Sequence, residues 1–319
     1  MVRFGRRPGE QMTDSARQIL EQTLAAHADG APYAIVDYPG YANPGDAAIW
    51  RGARKALETV TGRAPSYVST LRHFDADRCR RAAAGGTVFF LGGGNFGSLY
   101  EKHHRMRLRA LERIADQRIV LLPLSVAEAA GKPGATALAA ETRRVLESCA
   151  RLTVLSRERK SQALLRDVHG FDSSLCPDTA HAVAPPAVLP VQERLALFRR
   201  DGETLRTQTG NANGSDPVFD WPDDASLRWI NRVGKIAPLA APHRLRLAAF
   251  DLVARRKVEA ACRLLGRGRI IATDRLHGVI LAACMGRRVI ASENATGKVG
   301  SYVETWSRIL PGVTFACGE

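Results

Sequence analysis

The chain has 319 residues, room for two α/β domains with separate cores, and its 45% hydrophobic and 24% charged content is ordinary for a globular protein. Its 46 Lys and Arg against 32 Asp and Glu leave a net charge of +14, which favours anionic partners: phosphorylated substrates, acidic lipid headgroups or nucleic acid. Only 6% of the residues are aromatic and no basic run is interleaved with stacking side chains, so nucleic acid is not expected as a partner.

No apolar run reaches the length of about 18 residues that a transmembrane helix needs. The basic opening from Met1 to Gly9 is not followed by the apolar core of a secretory signal, so a cytoplasmic location is expected. Six cysteines (Cys79, Cys149, Cys176, Cys262, Cys284 and Cys317) are scattered, without CxxC pairs or nearby ligand histidines. Reduced thiols are expected, and neither a metal nor a cofactor.

Apolar runs rich in β-formers predict strands over 33–37, 67–70, 87–91, 118–126, 152–156, 194–198, 269–273 and 288–292. Helical periodicity or composition predicts helices over 14–27, 47–60, 76–84, 99–115, 135–150, 159–167 and 245–265. A short apolar helix is expected to follow Arg275 directly. The alternation implies an α/β fold: two Rossmann-like lobes built on parallel sheets with helices on both faces. Prolines at 185, 186 and 190 interrupt every element, which suggests an N-terminal helical arm over 1–30, a first lobe over 31–190 and a second over 191–319. The Gly-, Asn- and Pro-rich stretch 202–224 reads as a long loop.

Strand ends carry the chemistry. Arg275 and His277 follow the strand 269–273 where a helix begins, a place that favours anions. Arginine offers a planar fork for carboxylate or phosphate, and histidine moves protons near neutral pH. Ser156 and Arg157 stand in the same relation to strand 152–156, and Ser125 ends strand 118–126. Ser125 fits either a ligand contact or a local backbone bond. After the first strand, Asn43 and Asp46 lie on a turn; Asp46 reads either as the N-cap of helix 47–60 or as a cleft-facing carboxylate. Gly92, Gly93, Gly94 and Asn95 follow strand 87–91, where glycines permit a tight turn or close approach of backbone to a ligand; the pattern is neither GxGxxG nor a phosphate loop. Asp178 and His181 read as cleft-lining or capping groups, and Lys298 as a phosphate contact or a solvated lysine.

In this order the segments resemble the polysaccharide pyruvyl transferase family. The resemblance rests on Asn43–Asp46, Gly92–Gly97, Leu122–Ser125, Ser156–Glu158, Pro177–Asp178, Thr273–Gly278 and the stretch from Gly297 to Trp306. It implies a two-lobed architecture of the glycosyltransferase type B kind and transfer of a pyruvyl group from phosphoenolpyruvate to two hydroxyls of a sugar, forming a cyclic ketal. It further implies that Arg157 and Arg275 hold the anionic donor and that His277 is required. Asp46 joins Arg275 and His277 as a catalytic candidate. Ser156, Asn43, Gly93, Gly94, Asn95, Ser125, Asp178, Leu276 and Lys298 join Arg157 as candidate substrate contacts. One departure is Leu124, where relatives often carry glutamine. The expected acceptor is a glycan, free or lipid diphosphate-linked, and the positive charge suits peripheral contact with an anionic inner membrane face. Two rival readings stay open: a sugar-nucleotide glycosyltransferase of the same shape, and a non-catalytic binder of anionic glycans.

Overall fold

Strand–helix alternation resolves into two parallel sheets. The computed structural model describes residues 8–28, 30–129, 131–199, 218–239 and 242–316, with side chains from residue 15 onward. The first half runs α1 (Pro8–Ala25), β1 (Ala34–Val36), α2 (Pro44–Thr61), β2 (Tyr67–Ser69), α3 (Ala76–Ala82), β3 (Thr87–Phe90), β4 (Gly93–Phe96), α4 (Glu101–Glu112), β5 (Arg118–Val126), α5 (Ala135–Ser148), β6 (Arg151–Ser156), α6 (Arg159–His169) and β7 (Ser174–Leu175). Among the described residues these strands form a seven-stranded sheet in the order β2-β1-β3-β5-β6-β7, with β4 also paired to β5. The second half runs β8 (Gln192–Leu197), β9 (Val218–Phe219), α7 (Ala225–Ile236), α8 (His243–Leu265), β10 (Gly268–Thr273), α9 (Leu276–Cys284), β11 (Arg288–Ala291), α10 (Lys298–Thr305) and β12 (Val313–Phe315). Its five strands are ordered β12-β11-β10-β8-β9, again all parallel.

The strands are apolar throughout because both faces are covered. Alternate residues of one strand enter different cores: Ile35 and Phe89 point one way, Val36 and Phe90 the other. The core containing Ile35 and Phe89 continues through Trp50 and Phe250 to Leu195, Ile271 and Val289 of the second sheet. Tyr38 stacks on Phe250 at 3.7 Å between centroids, and the Trp50 indole donates to Asp251 at 3.0 Å. From α1, Leu20 and Leu24 enter the same core, where the helix meets both α2 and α9.

Three local expectations change. Asp46 does not cap α2: the helix starts at Pro44, and the Asn43 side chain takes the Gly45 N–H at 2.9 Å. Proline suits the first helical position because its missing N–H would have had no partner there. The glycine triplet does not end in a turn. Gly93 begins β4, which continues the β3 edge along β5 in the same register before a shift between Gly93 and Phe96, with Gly93 at φ 112°. Of the stretch read as a loop over 202–224, residues 202–217 lie outside the described residues, while Val218 and Phe219 form β9. No described helix is long and apolar enough to cross a membrane.

Candidate active site

Strand ends of both sheets surround a cleft of about 330 Å³, lined by Tyr41, Asn43, Asp46, Gly94, Asn95, Tyr100, His103, Arg157, Arg199, Trp221, Arg275, Leu276, His277 and Lys298. A volume of this order suits a small-molecule ligand. Parallel topology explains the convergence, since every C-terminal strand edge of an open α/β sheet faces the same side.

Arg157 follows β6 and is almost wholly enclosed, at 1% exposure. Its backbone N–H donates to the Leu124 carbonyl at 3.0 Å, its Nε to Ser125 Oγ at 2.6 Å and its Nη1 to Asp178 Oδ2 at 2.8 Å. Its Nη2 borders Gly94, where an added Cβ would lie 3.2 Å from that nitrogen and 3.5 Å from Lys298 Nζ. Two cations thus flank one glycine, and a side chain there would occupy the space between them. From the second half, the Trp306 indole donates to the Arg157 carbonyl at 2.7 Å.

Asp178 caps the short turn Thr179–Ala182, accepting the Ala180 N–H at 2.8 Å. Its Oδ2 also faces His277 Nε2 at 3.4 Å. Burial would raise this carboxyl's pKa, but His277 and Arg157 outweigh it and hold the group below the ordinary aspartate range. Behind it, the Tyr302 hydroxyl meets His181 Nε2 at 2.9 Å, and burial pushes His181 down to about 4.

Arg275 is the N-cap of α9, its own N–H donating to Thr273 Oγ1 at 3.1 Å. Its guanidinium pairs with Asp220 and lies 5.7 Å from the Trp221 ring centroid. Two residues on, His277 packs its imidazole directly over Gly45, leaving no room there for a Cβ. Asp274, directly before Arg275, is buried, and this raises its pKa to about 6 against the opposing Arg199 N–H bond at 3.0 Å.

Of the residues singled out from sequence, Asn43, Asp46, Gly94, Asn95, Arg157, Arg275, Leu276, His277 and Lys298 share the cleft wall. Ser125, Asp178 and Gly93 stand behind it, the first two bonded to Arg157 and Gly93 against Ile49. Ser156 is directed elsewhere, its Oγ 2.7 Å from Ser173 Oγ.

A second histidine–carboxylate pair escaped the sequence reading. His103 Nε2 lies 3.1 Å from the Asp37 carboxylate, and Arg107 Nη2 donates to the same group at 2.7 Å and to Asn95 Oδ1 at 2.6 Å. Asp37 follows β1 with φ 76°, a conformation unusual outside glycine that carries strain. Burial raises its pKa, yet His103 and Arg107 bring it below the usual value. An aspartate directly ending an apolar strand was the available signal. Lys257 of α8 was also missed. It is 2% exposed, donates from Nζ to the Tyr41 carbonyl at 2.7 Å, and is lowered to about 8 by burial against the pull of Asp46.

Fold and site therefore define an α/β protein of two parallel sheets with a cationic, histidine-bearing cleft between their strand ends. Residues 43–295 match the polysaccharide pyruvyl transferase family, and the chain belongs to it. It is 25% identical over 312 residues to a Bacillus subtilis protein carrying the name pyruvyl transferase EpsO, covering 92% of each chain. It is 28% identical over 300 residues to pyruvyl transferase 1 of Schizosaccharomyces pombe, covering 86% of this chain and 69% of that one. A crystal structure of a functionally uncharacterised Klebsiella pneumoniae protein shares the fold, with a TM-score of 0.63 at 14% identity over 95% of this chain and 99% of that one.

Proposed function

We propose that the protein transfers the pyruvyl group of phosphoenolpyruvate to two hydroxyls of a glycan, forming a cyclic ketal and releasing phosphate. The observation that carries this reading is the sharing of Asp178 Oδ2 by Arg157 and His277 at the edge of a cleft that also holds Arg275 and Lys298. Phosphoenolpyruvate is small and carries a carboxylate and a phosphate, so it calls for several cations and a proton carrier in one place.

In the proposed reaction, Arg157 through Nη2, together with Lys298 and Arg275, holds the two anionic groups; Asp220 gives way to the donor at Arg275. His277, oriented by Asp178, delivers a proton to the enol carbon, making C2 electrophilic. A sugar hydroxyl attacks C2 and phosphate departs. The second hydroxyl then closes the ketal. Of the two hydroxyl protons, one restores the proton used at carbon and the other leaves with phosphate. His103, oriented by Asp37, and Asp46 face the cleft as acceptors for hydroxyl protons. Electrostatic stabilisation of the departing phosphate is the largest contribution expected from the cations.

The acceptor is a polysaccharide unit or its lipid-linked precursor, worked on at the inner membrane face. The test is to incubate the protein with phosphoenolpyruvate and candidate glycans and to measure phosphate release together with pyruvyl incorporation into the glycan. Turnover that is lost in His277→Ala supports the reading. Turnover with a sugar-nucleotide donor instead overturns it.

A further inference from the structure

Six large apolar side chains among the described residues are at least three-fifths exposed: Leu189, Val191, Trp229, Ile236, Leu239 and Leu245. Four of them fall between Trp229 and Leu245, on α7, the turn that follows it and the start of α8. Trp229, Ile236, Leu239 and Leu245 are 61%, 63%, 67% and 62% exposed. The inner face of α7 is settled by buried Leu227 and Ile230 and by Gly234, where a Cβ would meet Val253 of α8 at 3.2 Å. At 100° per residue, Trp229 and Ile236 project from the opposite face, with Arg232 between them.

Charge identifies the occupant. From position 225 to 250 the sequence contains Arg228, Arg232, Lys235, Arg244 and Arg246 and no Asp or Glu. The flanking carboxylates are engaged: Asp224 caps the Leu227 N–H at 2.9 Å, Asp223 lies 3.8 Å from Arg228, and Asp251 accepts from Trp50 at 3.0 Å and pairs with Arg54 at 3.5 Å. A helix face that mixes tryptophan and isoleucine with cations is the composition that lies in a bilayer interface, with the basic groups among the headgroups. A second copy of the chain would oppose two clusters of the same sign, so self-association is disfavoured. The patch is also tied to the cleft, because Asp220 and Trp221, directly before α7, contact Arg275.

We propose that the outer face of α7, with Leu239 and the start of α8, is a docking surface for an anionic phospholipid bilayer, which brings the cleft to the plane where lipid-borne glycans reside. This deepens the functional reading above by assigning the acceptor to a membrane surface, but binding can be measured without turnover.

The experiment is co-sedimentation of the full chain with vesicles of phosphatidylcholine alone and of equimolar phosphatidylcholine and phosphatidylglycerol. The chain is expected to partition onto the anionic vesicles and to be released by salt. Trp229→Ser/Ile236→Ser and Arg232→Glu/Lys235→Glu should each weaken partitioning by about ten-fold or more, whereas Leu189→Ser/Val191→Ser should not. Thermal melts identify any unfolded variant, in which case the other double variant decides. Equal binding to both vesicle types, or wild-type binding by the folded variants, overturns the proposal. So does a lipid-free dimer that the same variants dissociate, which would assign the face to a second copy. Calorimetric binding of phosphoenolpyruvate, which needs neither acceptor nor lipid, separates the two ideas: its absence in the wild type sinks the pyruvyl reading and leaves the vesicle result standing.

Discussion

Arg157 of the first half and His277 of the second meet on one atom, Asp178 Oδ2, at 2.8 and 3.4 Å. A single carboxylate oxygen therefore fixes the position of a guanidinium and an imidazole that lie 120 positions apart in the sequence (277 less 157). The relative placement of the two sheets is written into this contact, and with it the shape of the cleft.

Replacing His277 by Ala should leave the fold intact and lower turnover by about 10²–10⁴, the usual contribution of a positioned proton carrier. Gly45→Ala should approach the same loss, because the new methyl would overlap the imidazole and turn it away from Asp178. Steady-state kinetics alongside thermal melts checks both. A Gly45→Ala variant with wild-type kcat would contradict the placement of His277.

Asp178→Ala leaves the buried Arg157 guanidinium with only the Glu158 carboxylate, 3.5 Å from its Nε, and should destabilise the protein by about 3–5 kcal/mol in denaturant unfolding. Because the folded pKa of Asp178 is depressed, its stabilisation is complete above the ordinary aspartate value of 3.8 and is lost as pH falls further. Asp178→Asn should remove that acid-side loss, which unfolding at a series of pH values would reveal.

Lys257 adds a slope of the same sign at alkaline pH. Unfolded, a lysine keeps its proton to about 10.5, whereas the folded chain releases it near 8, so the unfolded state binds more protons in that window and stability rises with pH. The rise amounts to about 3 kcal/mol across the window and should be absent in Lys257→Met. That variant also loses the donor to the Tyr41 carbonyl, so its turnover at neutral pH should fall by about ten-fold as the loop before α2 loosens.

Asp37→Asn tolerates the left-handed backbone and keeps a hydrogen bond to Arg107, while removing the charge opposite His103. Stability should fall, because the buried Arg107 guanidinium loses its carboxylate, and the pH–rate profile should move, with His103→Gln moving the profile in the same way. Wild-type profiles in both would exclude a proton-carrying role for this pair.

Much of the architecture is legible in the sequence because strands covered on both faces are continuous apolar runs. Residues 118–126 are the clearest case, with structural bounds identical to the expected ones. The strand-end motifs are legible for the same reason, since parallel topology carries Arg157 and Arg275 to one side. The Asp37–His103–Arg107 cluster was hidden because His103 and Arg107 lie 66 and 70 positions from Asp37, and only the packing of α4 against β4 joins them. Strand β4 was hidden because glycine has poor strand propensity, and it forms only by continuing an edge that β3 has already built.

Phosphoenolpyruvate lying against Arg157, Arg275 and Lys298 is the central requirement of the proposed reaction. Calorimetric titration of phosphoenolpyruvate into the wild type, Arg275→Gln and Lys298→Gln tests this without any acceptor. Saturable binding that weakens by about ten-fold or more in each variant is the expected result. Absence of binding in the wild type, or equal affinity in all three proteins, would contradict it.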